Sequence, residues 1–328
     1  AGGRRPIGGR RRIGGRRPAD PRGEVAVSSG RSWITGSQRR TGERRTGQRL
    51  TGERPIDGQT PSSLLGLHAA GYRELGSRVG AGVILDAGCG TGEQTTELMG
   101  TGRTVIALDY DRTAVRAARC RHSAAAGSQL ATERGCGLHP VCGDGAALPL
   151  ADASVDWACS SHLIEHFSSP ARHVAELARV LRCNGTALLL TPNAPWDFEN
   201  PFHVALFRPA DLASLLSSFF EEVVILGLEG SARAQADFAA RRERAARALA
   251  VADPFDLRHR LPRVLWRTVY AAGLPLAYRT LGRPLTATVA HEITAEDFYL
   301  AETVVATTPV LFASASRPRR LERRWRVG

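Results

Sequence analysis

Residues 83–92, VILDAGCGTG, constrain this chain more than any other stretch. Val83, Ile84, Leu85 and Ala87 are apolar and suited to a strand, Asp86 interrupts them, and glycines follow at 88, 90 and 92. Glu93 to Met99 then has the composition of the first turns of a helix. A strand that carries an acid near its end and runs through a Gly-x-Gly-x-Gly turn into a helix is an arrangement for holding a nucleotide. Glycines adopt φ > 0 and let the backbone approach a ligand, and a helix start presents unpaired N–H groups. The spacing is not that of the dinucleotide fingerprint, Gly-x-Gly-x-x-Gly, because the third glycine falls one place early.

Two acids further along stand where a bound nucleoside would need them. TVIALDYD (104–111) is a second strand ending in Asp109, followed by an Ala/Arg helix over 112–126. The spacing from Gly90 to Asp109 is that at which an acid at the tip of the next parallel strand reaches ribose hydroxyls. Its competing role, capping the helix, falls more naturally to Asp111. HPVCGDGAALPLADASVDWACSS (139–161) supplies a third short strand, then Asp144, then a fourth strand over 155–160. Asp144 at a strand tip can accept from the exocyclic amine of a base, or serve as a turn residue between two glycines.

The 328 residues suffice for one large α/β domain with additions. The net charge of +12 is concentrated at the two ends. Residues 1–60 hold 15 arginines against 5 acids, and residues 317–328 hold 6 against one, so the body between them is mildly acidic. The segment 1–60 repeats short Gly-Arg and Arg-Thr-Gly units with little apolar content, which predicts a disordered low-complexity arm. The chain uses arginine and no lysine, which reads as a coding bias. The six cysteines form no C-x-x-C pair, so reduced, buried thiols in a cytoplasmic protein are expected. Neither an 18-residue apolar run nor a signal-peptide apolar region is present in this sequence.

Four stretches together resemble the class I S-adenosylmethionine-dependent methyltransferases, in particular the small-molecule branch of the ubiquinone type. LDAGCGTGEQT, LDYDRTAVRAAR, GDGAALPLADASVDWACSSHLIEHF and ELARVLRCNGTALLLTPN fall in the family's order and spacing, and the likeness covers about residues 62–230. It implies a Rossmann-like α/β fold, with a mostly parallel seven-stranded sheet, helices on both faces and an antiparallel last strand. It implies S-adenosyl-L-methionine as cofactor. By position, Asp86, Gly88, Gly90 and Gly92 would hold its amino-acid end, Asp109 the ribose, and Asp144 with Gly145 the adenine. Tyr110 would pack on the adenine face, and Ser160 and Ser161 would end the fourth strand beneath the sulfonium. Cys183-Asn184 replaces the Lys-Pro-Gly-type turn usual in the family.

Beyond Pro192 the family pattern ends. TPNAPWDFENPFHVALFRPADLASLL (191–216) leads from the fifth strand into a helix near Pro209, and Asn193, Trp196, Asp197, Asn200 and His203 are candidates for an acceptor pocket. A neutral hydroxyl is a poor nucleophile and needs a base; His203, in this loop, and His166, after Glu165, are the two candidates. Glu165 and His166 could hold a divalent ion, as in some ubiquinone-type relatives, but no further acid stands at ligand spacing, and no metal is expected. A sixth strand is expected in 219–230 and the seventh over 304–313, inside the segment 291–316. Between them residues 231–290 read as a helical lid. Its part 258–284 has the Arg, Trp and Tyr composition of a membrane-surface segment, or of a lid helix with solvated arginines. The expected function is methyl transfer to oxygen of a small-molecule or lipid-linked acceptor. The rival readings are a nucleic-acid-modifying methyltransferase using the arginine-rich ends, disfavoured by the acidic body and by SSHL after the fourth strand, and a non-catalytic cofactor-binding protein.

Overall fold

The computed structural model describes residues 60–125, 137–197, 200, 202–253, 260, 265, 268, 269 and 292–320. The expected arm 1–60, apart from Thr60, the tail beyond 320 and nearly all of 258–284 lie outside the described residues.

Strands β1 (Gly82–Ala87), β2 (Arg103–Asp109), β3 (Gly137–Cys142), β4 (Val155–Ser161) and β5 (Leu181–Pro192) pair in parallel. Strands β6 (Phe220–Gly230), β7 (Phe298–Ala301) and β8 (Val310–Pro318) complete one sheet in the order β3-β2-β1-β4-β5-β8-β6-β7. β8 lies between β5 and β6, antiparallel to both. The α/β sheet therefore has eight strands where seven were expected. The addition is β7, a short strand that pairs antiparallel with β6 at the sheet edge.

The sheet separates two cores because successive strand residues point to opposite faces. Leu85, Ala87, Ala158, Ala187 and Leu189 join one core, and Ile84, Val105, Cys159, Leu188 and Leu190 join the other. The first core is covered by α3 (Pro170–Val180) and α4 (Pro209–Ser217). α3 begins on Pro170, whose missing N–H costs nothing in a first turn, and buries Val174, Leu177 and Ala178 at helical spacing. The second core is covered by α1 (Ser62–Arg78) and by the start of α5 (Ala232–Ala252), through Leu67, Tyr72, Leu75 and Phe238. α2 (Arg112–Ala125) follows β2, in register with the expected Ala/Arg helix.

Two expectations are corrected. The helix after the glycine turn is only a short 3-10 segment, Gln94–Leu98. It holds two β-branched threonines, and Gly100 and Gly102 follow it, so little favours its extension. The last strand starts at Val310, later than the expected 304, because Val305–Thr308 closes a turn in which the Thr308 N–H donates to the Val305 carbonyl. The connection 231–290 does begin with a helix, α5. Among the described residues no helix is long and apolar enough to cross a membrane.

Candidate cofactor cleft and acceptor site

The chain runs outward from β1 to β3 and returns to β4, so the strand order reverses between β1 and β4. Open α/β sheets bind ligands at the carboxyl ends of strands across such a reversal. Gly88, Asp109 and Asp144 follow or end β1, β2 and β3 there, and Ser160 and Ser161 end β4. Gly88, Gly90 and Gly92 have φ of +83°, +56° and +73°, values that a residue with a Cβ rarely adopts. The Gly88 and Cys89 N–H groups donate to the Leu108 carbonyl (2.7 and 3.0 Å), which fastens the turn to the tip of β2.

Asp109 completes that fastening. Its Oδ2 accepts the Gly90 N–H at 2.9 Å and its Oδ1 the Asp111 N–H at 2.8 Å. These two bonds fix the orientation of the carboxylate at the tip of β2. Asp109 lines a cleft with Gly88, Leu108, Tyr110, Gly143, Gly145 and Leu163. Asp144 stands beside it, half-buried, with Oδ1 accepting the Ala146 N–H at 2.8 Å. Burial raises its pKa, against the pull of that hydrogen bond.

Asp86 stands behind the turn and is fully buried. The Thr95 hydroxyl donates to its Oδ2 at 2.6 Å and the Tyr72 hydroxyl to its Oδ1 at 3.2 Å. Burial raises its pKa to about 6, and the two hydroxyls pull only partly the other way. The native state therefore holds this proton more tightly than the unfolded chain, whose ordinary value is 3.8. The stabilisation is full below 3.8 and is lost as pH rises through about 6. Asp86→Asn is expected to flatten the melting-temperature profile across that window, measured by scanning calorimetry; profiles that stay parallel would refute the assignment.

Past β4 a group of histidines surrounds Glu165. Glu165 is fully buried, its Oε2 accepts from the Thr191 hydroxyl at 3.0 Å, and its Oε1 lies 3.4 Å from His162 Nδ1. Burial alone would raise its pKa, but the His162 contact and the electrostatic pull of the neighbouring His166 and His203 rings outweigh it and hold it at about 2. His162 is held at φ +50°, its N–H donating to the Leu190 carbonyl, and its ring lies 4.4 Å from that of His68. Burial, then the neighbouring His162, pushes His68 down to about 3, so it stays neutral.

The acceptor loop comes to this group through its backbone. The Val204 and Ala205 N–H groups donate to the Glu165 carbonyl (2.8 and 3.0 Å), and the rings of His203 and His166 lie 5.2 Å apart. Asn200 Oδ1 accepts the Phe202 N–H, so its amide nitrogen faces His203 Nε2 at 3.0 Å and donates to it. His203 Nδ1–H accordingly donates to Asp197 Oδ1 at 2.7 Å. This is an imidazole oriented by a carboxylate, with the lone pair on the far nitrogen, the arrangement of a general base.

Residues 85–189 match the family model described as a methyltransferase domain. A probable S-adenosylmethionine-dependent methyltransferase of Mycobacterium tuberculosis is 37% identical over 168 residues, 49% of this chain and 57% of the relative. Its counterpart from Mycolicibacterium smegmatis is 35% identical over 162 residues, 48% of this chain and 58% of the relative. Residues 85–189 thus carry a domain similar to those of S-adenosylmethionine-dependent methyltransferases. It spans little more than half the length of these curated relatives. A solved S-adenosylmethionine-dependent methyltransferase from Thermotoga maritima is 15% identical, with a TM-score of 0.46, over 77% of this chain and 90% of that one.

Within this domain the tertiary structure sorts the expected site residues. Gly88, Asp109, Tyr110 and Gly145 meet in one cleft, and Gly90 is tied to it through Asp109. Ser160, expected beneath the sulfonium, is enclosed, and its hydroxyl lies 2.9 Å from His173 Nε2. Ser161 is also buried. Asn193 does not serve the acceptor pocket: its amide donates to the carbonyls of Val305 and Thr308 (3.0 and 3.1 Å) and holds the turn before β8. Residues that sequence reasoning passed over are Tyr72, Leu163, His68, His162 and His173. Only His162 carried a local signal, as the histidine three places before Glu165. Of the cysteines, Cys89 and Cys159 are buried as expected, but Cys120 and Cys183 are exposed.

The fold also brings a third potential metal ligand to the Glu165-His166 pair. One ligand atom each from Glu165, His166 and His203 lie within 4.8 Å of one another. The rings, however, are turned to other partners: His203 to Asp197 and Asn200, His166 Nδ1 to the Phe202 carbonyl at 3.1 Å. These bonds set the trio for holding a proton. Dialysis against a chelator is expected to leave methyl transfer unchanged; a loss that a divalent ion restores would make the trio a metal centre.

Proposed function

We propose that the protein methylates a hydroxyl oxygen of a small-molecule or lipid-linked acceptor, with His203 as the candidate base. The observation that carries this reading is the Asp197–His203 pair, set by the acceptor loop beside Glu165 and His166 at the end of β4. The residues of the cleft fit the cofactor: a carboxylate already anchored at the tip of β2, a tyrosine next to it, and glycines on both walls. Asp109 would hold the ribose, Asp144 and Gly145 the adenine side, and the turn 88–92 the amino-acid end. Bound there, the cofactor would supply an electrophilic methyl group.

Transfer to oxygen requires removal of the hydroxyl proton, and a positioned base contributes roughly 10²–10⁴-fold to such a step. His203 takes that proton on Nε2, the acceptor hydroxyl displacing the Asn200 amide that holds this nitrogen at 3.0 Å, while Asp197 stabilises the imidazolium through Nδ1–H. His166 lies close enough to adjust the charge of the pair. An amine acceptor would require mainly positioning, and a carboxylate-oriented imidazole would then have little to do.

The reading of residues 231–290 as a lid over a large acceptor has support from α5. Its Phe238 packs edge-on against Trp196 of the acceptor loop, ring centroids 5.2 Å apart, and the Arg242 guanidinium donates to the Trp196 carbonyl at 2.9 Å. The Arg, Trp and Tyr composition of 258–284 supports a lid helix with solvated arginines and, as a second reading, peripheral membrane contact.

The test is incubation of the full chain with methyl-labelled S-adenosylmethionine and panels of phenols, hydroxy acids, lipid-linked saccharides and amines. Label in an ether or ester of a hydroxylated acceptor is the expected result. Label confined to amines, or no transfer with the cofactor bound, would overturn the proposal.

A further inference from the structure

A buried relay behind the cleft is not used by the transfer chemistry. His173, on α3, is fully enclosed and its ring stacks on Phe167 at 4.7 Å between centroids and 14° between planes. Its Nδ1 lies 2.9 Å from the Gly145 carbonyl and its Nε2 2.9 Å from the Ser160 hydroxyl. A carbonyl only accepts, so Nδ1 carries the proton. Burial, against the pull of that carbonyl, lowers the ring's pKa to about 4, which keeps it neutral with a lone pair on Nε2. Ser160 O–H therefore donates to Nε2, and Nδ1–H donates to Gly145. Both polar atoms of the ring and the serine hydroxyl are satisfied, at three positions far apart in sequence.

Gly145, Ser160 and Phe167, the residues His173 touches, lie on three separate segments beside or behind the cleft. Gly145 lines it in the loop after β3. Ser160 is at the end of β4, in register with Ala87, the residue before the glycine turn. Phe167 closes the segment that carries Glu165 and His166. The fit is tight: a Cβ at Gly145 would lie 3.0 Å from the Phe167 ring and 3.4 Å from His173 Nδ1. The loop thus rests on the His173–Phe167 stack with no space to shift backward.

We propose that His173 is a positioning residue for the cofactor, holding the Gly145 backbone at the height at which the cleft accepts the nucleoside and tying it through Ser160 to the tip of β4. This rests on the function proposed above. Without the two bonds the loop can move off its support, and binding must then include the entropy of ordering it.

Three variants of the full chain test this with S-adenosylhomocysteine as probe, by titration calorimetry for affinity and scanning calorimetry for folding. His173→Phe keeps the ring and the stack and removes both hydrogen bonds; Ser160→Ala removes one. His173→Asn places an amide N–H near the position of Nδ1 and can restore the bond to Gly145. The loss of one well-placed hydrogen bond corresponds to about tenfold. His173→Phe is expected to weaken binding by that factor or more, and His173→Asn to recover most of it, at similar melting temperatures. The effects of Ser160→Ala and His173→Phe should be less than additive, since both interrupt one relay. If His173→Phe does not fold, His173→Asn and Ser160→Ala decide alone: each keeps the bond to Gly145 and loses the tie to Ser160, so a similar partial weakening in both is the expected pair, and native affinity in both would overturn the proposal. Native affinity in folded His173→Phe, or melting temperatures that fall while affinity stays in all variants, would show a merely structural role and overturn the proposal. The wild-type titration separates the two readings: no binding there removes the function proposed above, whereas binding there with unaffected variants removes only the relay.

Discussion

Asp109→Ala is expected to raise the dissociation constant for S-adenosylmethionine by about two orders of magnitude. Hydrogen bonds to a charged group contribute roughly 1.5–3 kcal/mol each, and two ribose hydroxyls on one carboxylate bring the loss into that range. The substitution acts twice. It removes the ligand's acceptor, and it releases the Gly90 and Asp111 N–H groups that Oδ2 and Oδ1 hold at 2.9 and 2.8 Å. Asp109→Asn separates the two effects, since its carbonyl oxygen can keep one backbone bond while the charge is gone, and it should fall between the alanine variant and wild type. Titration calorimetry reads both, with melting temperatures to confirm folding. Unchanged affinity in folded Asp109→Ala would remove the ribose assignment and, with it, the orientation of the cofactor in the cleft.

The second large effect falls on the rate. His203→Ala is expected to lower kcat by roughly 10²–10⁴-fold, the usual contribution of a positioned general base, while cofactor affinity stays unchanged. Asp197→Asn should follow in the same direction but less far. The Asp197 carboxylate lies 2.7 Å from Nδ1 and stabilises the imidazolium, whereas an amide there can still orient the ring without that charge. His166→Ala should cost less than either, because its Nδ1–H donates to the neutral Phe202 carbonyl, which stabilises an imidazolium less than the Asp197 carboxylate does. The Asn200 amide occupies Nε2, so the acceptor hydroxyl must displace it to reach the base. A kcat close to wild type in His203→Ala, together with a large loss in His166→Ala, would move the base to His166. Small losses in both would leave positioning as the main source of rate and an amine as the better acceptor.

How far the site was legible depends on the separation of its parts along the chain. The glycine turn was legible because strand, turn and following segment are contiguous, and φ > 0 at 88, 90 and 92 leaves a compositional mark that no other residue supplies as readily. Asp109 was legible because parallel neighbouring strands joined by a short unit place their tips side by side, so a spacing along the chain becomes a spatial one. The resemblance added the cofactor and the roles within it. The failures lie elsewhere. β7 is only FYLA, whose sole warrant as a strand is its pairing with β6, on the far side of the long connection 231–290. Ser160 carries the residue type of a ligand contact, but its alternation along β4 turns it toward α3, where His173 takes its hydroxyl. Asn193 has the composition of a pocket residue and holds a turn instead.

By itself the sequence determined the α/β class, the cleft at the strand tips and the acids and glycines that line it, since hydrophobic period, turn chemistry and short-range spacing are local properties. Only the tertiary structure decided which histidines act together. His68 of α1 meets His162 beyond β4, His203 reaches Glu165 across the intervening α3 and β5, and His173 joins Ser160 to Gly145. Contacts of this kind are selected by packing and by the need to satisfy each buried polar group, and both depend on the whole fold at once.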